Sequence, residues 1–293
     1  MIASHADLLD AYAAGRHWCT RFIKTGAGQV QDTKWQDWAY QAGQPSYDAR
    51  IGEVAAFTPV VAVGNDAIYI PPIAAGLQRV LHKVTLTPKA SQASQASIDF
   101  VLYDLIGYYP LIDGDSTDTQ EMDNTQTLPR YADGAGLRLV MVNHVSPATA
   151  SGRMLLEYTD ENDADQTLDI NVPLLGINCA CSGTRTTPSA DVGPLCLPIG
   201  QGVKRVNRIT YSTPPGGLQC IYVIKPLAQF THYHDALLQA DTSGIKSAIE
   251  VDFTKDGFRL PIIKDGAHLS FFYRNNGSSR STTFFGDAEF AWG

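Results

Sequence analysis

One nine-residue stretch occurs twice in this chain, as PIAAGLQRV at residues 72–80 and as PIGQGVKRV at residues 198–206. Five of the nine positions are identical, and both copies run directly into a segment rich in β-branched residues. A second stretch recurs in the same way, because LPRYADGAGL at residues 128–137 matches LPIIKDGAHL at residues 260–269 at six of ten positions. The two pairs lie 126 and 132 residues apart and in the same order. This pattern indicates an internal duplication.

The sequence around these motifs predicts strands. From residue 53 onward, short segments of Val, Ile, Thr, Phe and Tyr alternate with turn residues, among them Pro214-Pro215 and Gly216-Gly217. No regular alternation of strands with helices is visible, which favours antiparallel sheets. We therefore predict an all-β chain made of two tandem, jelly-roll-like antiparallel β-sandwiches, at residues 53–178 and 179–293.

The first 52 residues differ from the rest and are predicted to form an N-terminal arm with a short helix. Ser4 and Asp7 form a helix start signal, and Gly15 is a natural stop. The following stretch is broken by glycines and contains three of the four tryptophans. Such an arm can anchor a subunit on a neighbour through large apolar contacts. The predicted partner-binding side chains of the arm are Trp18, Phe22, Trp35 and Trp38.

Composition and charge exclude several classes of protein. The 293 residues are 44% hydrophobic and 18% charged, which is too apolar for a disordered chain. The formal net charge is −8 and no basic block is present, so we expect no nucleic-acid partner. No apolar run approaches the roughly 18 residues of a membrane-spanning helix, so we expect no membrane partner. Asp7 and Asp10 interrupt the apolar N-terminal stretch, so no signal peptide is expected.

The strongest polar cluster is DGDSTDTQEMD at residues 113–123. Calcium sites need six to eight oxygen ligands, and closely spaced carboxylates can supply them. Thr117 stands where the calcium-loop order requires a third acidic residue, so we interpret the segment as a surface that faces a partner. The predicted contact residues are Asp113, Asp115 and Asp118, and calcium binding is the alternative.

No other motif predicts a metal, a cofactor or catalysis. Cys179 and Cys181 form a C-x-C pair, and His232 and His234 would share one face of a strand, but no further ligand is apparent for either pair. The signatures of nucleophile elbows, P-loops and zinc proteases are absent from the sequence. We therefore expect no cofactor and no enzyme activity. The odd cysteine count of five, in a chain too long to need disulfides, favours folding in a reducing cytosol.

Four stretches resemble structural proteins of tailed bacteriophage virions: YYPLIDGDSTD at residues 108–118, DNTQTLPRYADG at 123–134, WQDWA at 35–39 and GDAEFAW at 286–292. The resemblance implies a non-enzymatic virion component, either a capsid decoration or cement protein or a minor head or tail protein. The implied partners are phage capsid or tail proteins, and the chain is expected to form homo-oligomers. The implied location is the virion, after folding in the host cytoplasm. No catalytic residue follows from the resemblance.

Two alternatives stay open at this point. A carbohydrate-binding or receptor-binding module of a phage tail would also use sandwich loops and exposed tryptophans. A hydrolase would need two carboxylates that the fold brings to within about 5–10 Å of each other. The positions of Trp18, Trp35 and Trp38 discriminate between virion assembly and carbohydrate binding. Burial against another subunit favours assembly, and an open groove favours sugar binding.

Overall fold

The computed structural model describes residues 1–25, 35–40, 42–46, 55–63, 66–90, 97–144, 152–172, 177–178, 201–233, 248–255, 259–275 and 282–293. These residues form strands in predominantly antiparallel sheets and one short N-terminal helix. The prediction of an all-β chain is therefore confirmed.

The elements follow one another along the chain in a simple order, with the helix first. Helix α1 spans His5–Ala13, and a single 3-10 turn spans Trp38–Tyr40. The strands are β1 (His17–Thr25), β2 (Trp35–Asp37), β3 (Ala42–Gln44), β4 (Thr58–Pro59), β5 (Arg79–Ala90), β6 (Ser97–Asp113), β7 (Gln120–Glu121), β8 (Arg138–Asn143), β9 (Gly152–Asp160), β10 (Asp165–Val172), β11 (Ile177–Asn178), β12 (Val203–Thr213), β13 (Leu218–Tyr233), β14 (Ile249–Asp252), β15 (Ile262–Ile263), β16 (Leu269–Asn275) and β17 (Thr282–Trp292).

The strands form a central barrel and two outer sheets. One outer sheet has six strands in the order β14-β5-β17-β1-β3, with β15 also paired to β5. The other has four strands in the order β10-β9-β12-β7. The remaining sheet runs β13-β8-β11-β2-β16-β6-β4, and β13 also pairs with β6. That last pairing closes six strands on themselves, which gives the barrel.

Three cores fill the spaces between these layers. The long strand β6 shows how they are separated, because successive side chains of a strand point to opposite faces. Phe100 faces the core beneath the six-stranded sheet, whereas Tyr103 lies inside the barrel. Further along the same strand, Ile106 and Ile112 face the core beneath the four-stranded sheet. Strand β13 contacts the same cores in the opposite order along the chain, because Ile221 faces the core beneath the four-stranded sheet and Phe230 packs against the core beneath the six-stranded sheet. The two long strands therefore contribute to the cores beneath both outer sheets.

The strands of the two predicted halves pair with each other. Strand β5, which follows the first copy of the PI motif, pairs with β17 and β14 from the second half. Strand β12, which follows the second copy, pairs with β9 and β7 from the first half. Each outer sheet therefore contains strands from both sides of the predicted boundary at residue 178. The domain bounds 53–178 and 179–293 stay a prediction from the sequence repeat.

The repeated motifs contact each other across the two halves. The backbone N–H of Val203 donates to the carbonyl of Gly134 at 3.1 Å. In the reciprocal contact, Arg79 forms an ion pair with Asp265 at 3.2 Å. Gly202 must be a glycine because a Cβ there would lie 2.1 Å from the Gly134 oxygen. Each copy of the PI motif thus contacts the LP motif of the other half, and each motif also leads into a strand.

The N-terminal segment belongs to the fold in its described parts. The helix begins as predicted, because the Ser4 hydroxyl accepts a hydrogen bond from the Asp7 N–H at 3.2 Å. Strand β1 then pairs with β17 along its full length of nine residues, from His17 to Thr25. The segment is therefore part of the six-stranded sheet, which corrects the prediction of a loose arm.

Candidate functional site

The predicted acidic contact residues lie in a short connection at one end of the barrel. We call residues 113–118 the acidic turn. It leaves the barrel at the end of β6 and leads to β7 in the four-stranded sheet. Asp113, Asp115 and Asp118 are all exposed. The structure therefore brings the three predicted carboxylates together on one surface.

Hydrogen bonds hold the backbone of the acidic turn in one conformation. The side-chain amide of Gln120 bonds both to the N–H and to the carbonyl of Asp113, each at 2.8 Å. Gly114 exchanges backbone hydrogen bonds of 2.9 and 2.7 Å with the Gly216-Gly217 turn. A Cβ at Gly114 would lie 2.6 Å from the Gly216 oxygen, so the close approach requires glycine.

Two of the turn's polar side chains cap its own backbone. The carboxylate of Asp113 accepts a hydrogen bond from the Asp115 N–H at 2.9 Å, and the Ser116 hydroxyl accepts one from the Asp118 N–H at 3.0 Å. None of the three aspartates forms an ion pair with a described residue. The hydrogen bonds thus fix the backbone of a turn that carries three exposed aspartates.

Phe22 and Trp38, predicted to bind a partner, lie in this protein's own core. Phe22 faces inward from β1, and its ring centroid lies 5.1 Å from that of Trp38. Trp38 in turn lies 4.4 Å from Phe271 of the barrel. Both side chains are 1% exposed. They fill the space between the six-stranded sheet and the barrel and leave no surface for a partner.

Trp35 is also buried, on the inner side of the barrel. The guanidinium of Arg274 lies 5.3 Å from the centre of its ring, a cation–π contact. Arg274 is fixed by an ion pair with Asp99 at 2.6 Å. The predicted role of Trp35 in partner binding is therefore corrected to a role in packing.

Trp18 is the predicted aromatic anchor that reaches the surface. Its side chain is 48% exposed and that of Tyr69 is 49% exposed. The two rings meet edge to face with centroids 6.2 Å apart. The Tyr69 carbonyl accepts a hydrogen bond from the Thr20 hydroxyl at 2.7 Å, which ties the Tyr69 backbone to β1.

A polar network beneath α1 has no counterpart among the sequence predictions. The Tyr12 hydroxyl lies 2.8 Å from His82 Nε2 and 3.3 Å from the Glu289 carboxylate. Lys83 forms ion pairs of 3.2 Å with Glu289 and with Glu250. Burial lowers the pKa of His82. Burial, helped by Glu289, raises the pKa of Tyr12 to about 12. Strand pairing alone brings these distant positions together, so no local sequence signal could have found them.

A second unpredicted feature is a buried ion pair between barrel and loop. The guanidinium of Arg130 donates two hydrogen bonds to the Asp104 carboxylate, at 3.0 and 2.8 Å. The backbone N–H of His268 donates to the same carboxylate at 2.7 Å. Burial raises the pKa of Asp104, and Arg130 opposes that shift. Arg130 and His268 both lie in the repeated LP motifs, so the pair connects the two copies.

The interior of the barrel is lined by phenol groups. The Tyr103 hydroxyl donates to the buried Asp37 carboxylate at 3.0 Å. The Tyr222 hydroxyl donates to the Tyr40 hydroxyl at 3.3 Å, and the latter lies 3.2 Å from His144 Nδ1. These bonds satisfy polar groups in a packed interior, as buried hydroxyls require.

The remaining candidate ligands fall mainly outside the described residues. Cys179, Cys181 and His234 lie outside them, while His232 lies in β13. Of the cysteines that the structure describes, Cys19 is exposed and Cys220 is buried. Within the described ranges, no three His, Cys, Asp or Glu side chains converge in a way that could hold a metal ion.

The described part of the chain contains no helix with the length and hydrophobicity needed to cross a lipid bilayer.

Comparison with known proteins gives no family assignment. No family model matches the chain, and no curated protein matches it. Two solved structures that it resembles come from infectious bursal disease virus. The Gt strain structure has 10% identity and a TM-score of 0.19, and the match covers 94% of this chain and 81% of that chain. The VP2 subviral particle has 8% identity and a TM-score of 0.18, with coverage of 94% and 80%. At these TM-scores neither match supports an inference about fold or function.

Proposed function

We propose that this protein is a non-enzymatic structural component of a virus particle that contacts its neighbours through the acidic turn. In this proposal it is a capsid decoration or cement protein, or a minor head or tail component, of a tailed bacteriophage. Its partners are capsid or tail proteins and further copies of the chain. It folds in the host cytoplasm and acts in the virion.

The observation that carries the proposal is that Asp113, Asp115 and Asp118 are exposed on one turn with a fixed backbone. None of the three forms an ion pair with a described residue. Carboxylates on one six-residue turn repel one another unless positive charge lies opposite them. A basic patch on a neighbouring subunit would relieve that repulsion. Such complementary charge mainly sets the orientation and rate of association.

The buried charged groups have partners within the fold. Asp104 is paired with Arg130, and Asp99 with Arg274, each by short charge-assisted hydrogen bonds. Arg130 additionally donates to the backbone carbonyls of Val60 and Leu105. These groups join segments of the fold to one another, as structural ion pairs do.

Three of the four aromatic side chains that the sequence assigns to partner binding do not support this proposal. Phe22, Trp35 and Trp38 fill the protein's own core, so they give no reason to expect an oligomer. The apolar part of a contact surface would instead be the exposed pair Trp18 and Tyr69.

The proposal is tested with the double substitution Asp115→Asn and Asp118→Asn. Binding of the purified chain to capsids assembled without it is followed by co-sedimentation, and self-association by light scattering. We expect the double variant to bind more weakly at about 0.1 M salt and to differ little from the parent at about 1 M. The reason is that the Debye length falls from about 10 Å to about 3 Å over this range.

The matched control removes two exposed carboxylates elsewhere, by Asp10→Asn and Asp133→Asn. It should bind as the parent does at both salt concentrations. Equal binding of all three proteins at every salt concentration contradicts the proposal. Carbohydrate binding would use Trp18 and Tyr69 as a stacking surface. If binding is equal and a soluble glycan quenches Trp18 fluorescence, carbohydrate binding replaces the proposed role in assembly.

A further inference from the structure

Helix α1 is attached to the six-stranded sheet by a small apolar contact. Ile2 and Ala11 are buried against Val80 and Ala291, in a cluster separate from the three large cores, and Leu8 and Leu260 are partly buried against it. Leu9 on the outer side of the helix is 70% exposed. A contact of this size makes a small hydrophobic contribution, so polar interactions beneath the helix weigh heavily in its docking.

The polar interactions converge on one phenol. The Tyr12 hydroxyl lies 2.8 Å from His82 Nε2 and 3.3 Å from the Glu289 carboxylate, and His82 Nε2 lies 3.7 Å from that same carboxylate. The Tyr12 ring stacks on His17 with centroids 4.3 Å apart. His82 is 6% exposed and lies where β5 bulges away from the regular pairing with β17. Helix α1 therefore contributes Tyr12 to the surroundings of a buried histidine.

Titratable and charged groups surround His82 on every element that packs against it. They are Tyr12 from α1, His17 from β1, Lys83 from β5, Asp252 from β14 and Glu289 from β17. One step further out, Cys19 acts on Tyr12 and Glu250 pairs with Lys83. Glu289 and Asp252 favour the protonated imidazole, whereas Lys83 and His17 oppose it. The loss of hydration outweighs all of these and keeps the docked histidine neutral.

We propose that α1 is a pH-sensitive latch, which is held on the six-stranded sheet at neutral pH and released when His82 takes up a proton. Docking of the helix removes water from the imidazole, and a charged imidazole loses more than a neutral one. Because the pKa of His82 is lowered in the docked state, protonation favours the undocked state. Docking is therefore fully stable above the ordinary histidine pKa of about 6.5 and weakens as the pH falls below it.

Release of the latch leaves the sheets intact. Strand β1, which follows the helix, is held by nine paired residues of β17 and by Phe22 in the core. The backbones of Gln78 and Gly293 also bond each other, independently of the helix. Acid should thus free the residues before Gly15 and nothing beyond them. The proposal does not depend on a role in a virus particle.

The test is hydrogen exchange of the full-length protein at about pH 7.5 and about pH 5.5, where most carboxylates remain ionised. Protection of α1, corrected for the intrinsic exchange rate, should fall severalfold at the lower pH while that of β6 stays constant. His82→Gln should remove this dependence, because glutamine does not titrate. The control variant His5→Gln, which changes an exposed histidine of the same helix, should retain it.

A titration of the parent protein by nuclear magnetic resonance gives the same answer without a variant. The midpoint for the α1 signals should coincide with that of the His82 imidazole. Constant α1 protection between the two pH values would overturn the proposal. So would a pH dependence that persists in His82→Gln, or a midpoint that follows His17 instead.

Discussion

At the scale of single residues, charged side chains in the interior were hardest to assign from the sequence. Asp104 and Arg130 are separated by 26 positions and belong to different predicted segments, so neither carries a local signal of pairing. The exposed aspartates of the acidic turn are different, because their spacing in the chain already places them together. Local clusters can be predicted from sequence, whereas pairs made by the fold cannot.

The buried pair gives a prediction at this scale. Arg130→Met should lower the free energy of unfolding by about 3–5 kcal/mol, because it leaves the Asp104 carboxylate buried without its cation. Urea denaturation followed by tryptophan fluorescence measures the change. The control is Arg153→Met, which breaks an exposed ion pair with Asp169 and should cost at most about 1 kcal/mol. Similar small effects of both substitutions would contradict the assigned role of Arg130.

At the scale of elements, most strand positions and the start of α1 followed from periodicity and turn residues. The interpretation of the first 52 residues did not, because exposed and buried aromatic residues look alike in a glycine-rich stretch. Phe22 and Thr20 alternate with Arg21 and Cys19 in the burial pattern of β1, which is the period of a strand with one covered face. The sequence alone does not show this period, because the covered face of β1 includes the polar residues Thr20 and Lys24.

The position of β1 predicts a mild effect for one truncation and a severe effect for a longer one. Removal of residues 1–14 deletes only the helix, so a folded chain of slightly lower thermal stability is expected. Removal of residues 1–25 deletes a central strand and Phe22, so loss of a cooperative thermal transition and aggregation are expected. Circular dichroism and light scattering measure both. Phe22→Ala alone should cost about 3–5 kcal/mol. A folded monomer after removal of residues 1–25 would show that β1 is dispensable.

At the scale of the whole molecule, the sequence repeat identified equivalent segments but not their partners. The segments that lie 126 residues apart lead into β5 and β12, and those that lie 132 residues apart lead into β8 and β16. Which strand lies beside which is decided by contacts far apart in the chain, such as β5 with β17. A tandem arrangement and an exchanged one have the same sequence pattern, so the repeat alone could not distinguish them.

The exchange of strands predicts that the two halves do not fold separately. A fragment of residues 1–178 lacks β12 and β17, and a fragment of residues 179–293 lacks β5 and β6, so each loses partners in an outer sheet and in the barrel. We expect each fragment to be unfolded by circular dichroism, and the intact chain to unfold in a single transition, since all three cores share strands. Mixing the fragments should restore sheet structure in a one-to-one complex. Independent folding of residues 179–293, or two separate transitions in the intact chain, would show that the exchanged strands are not required by either half.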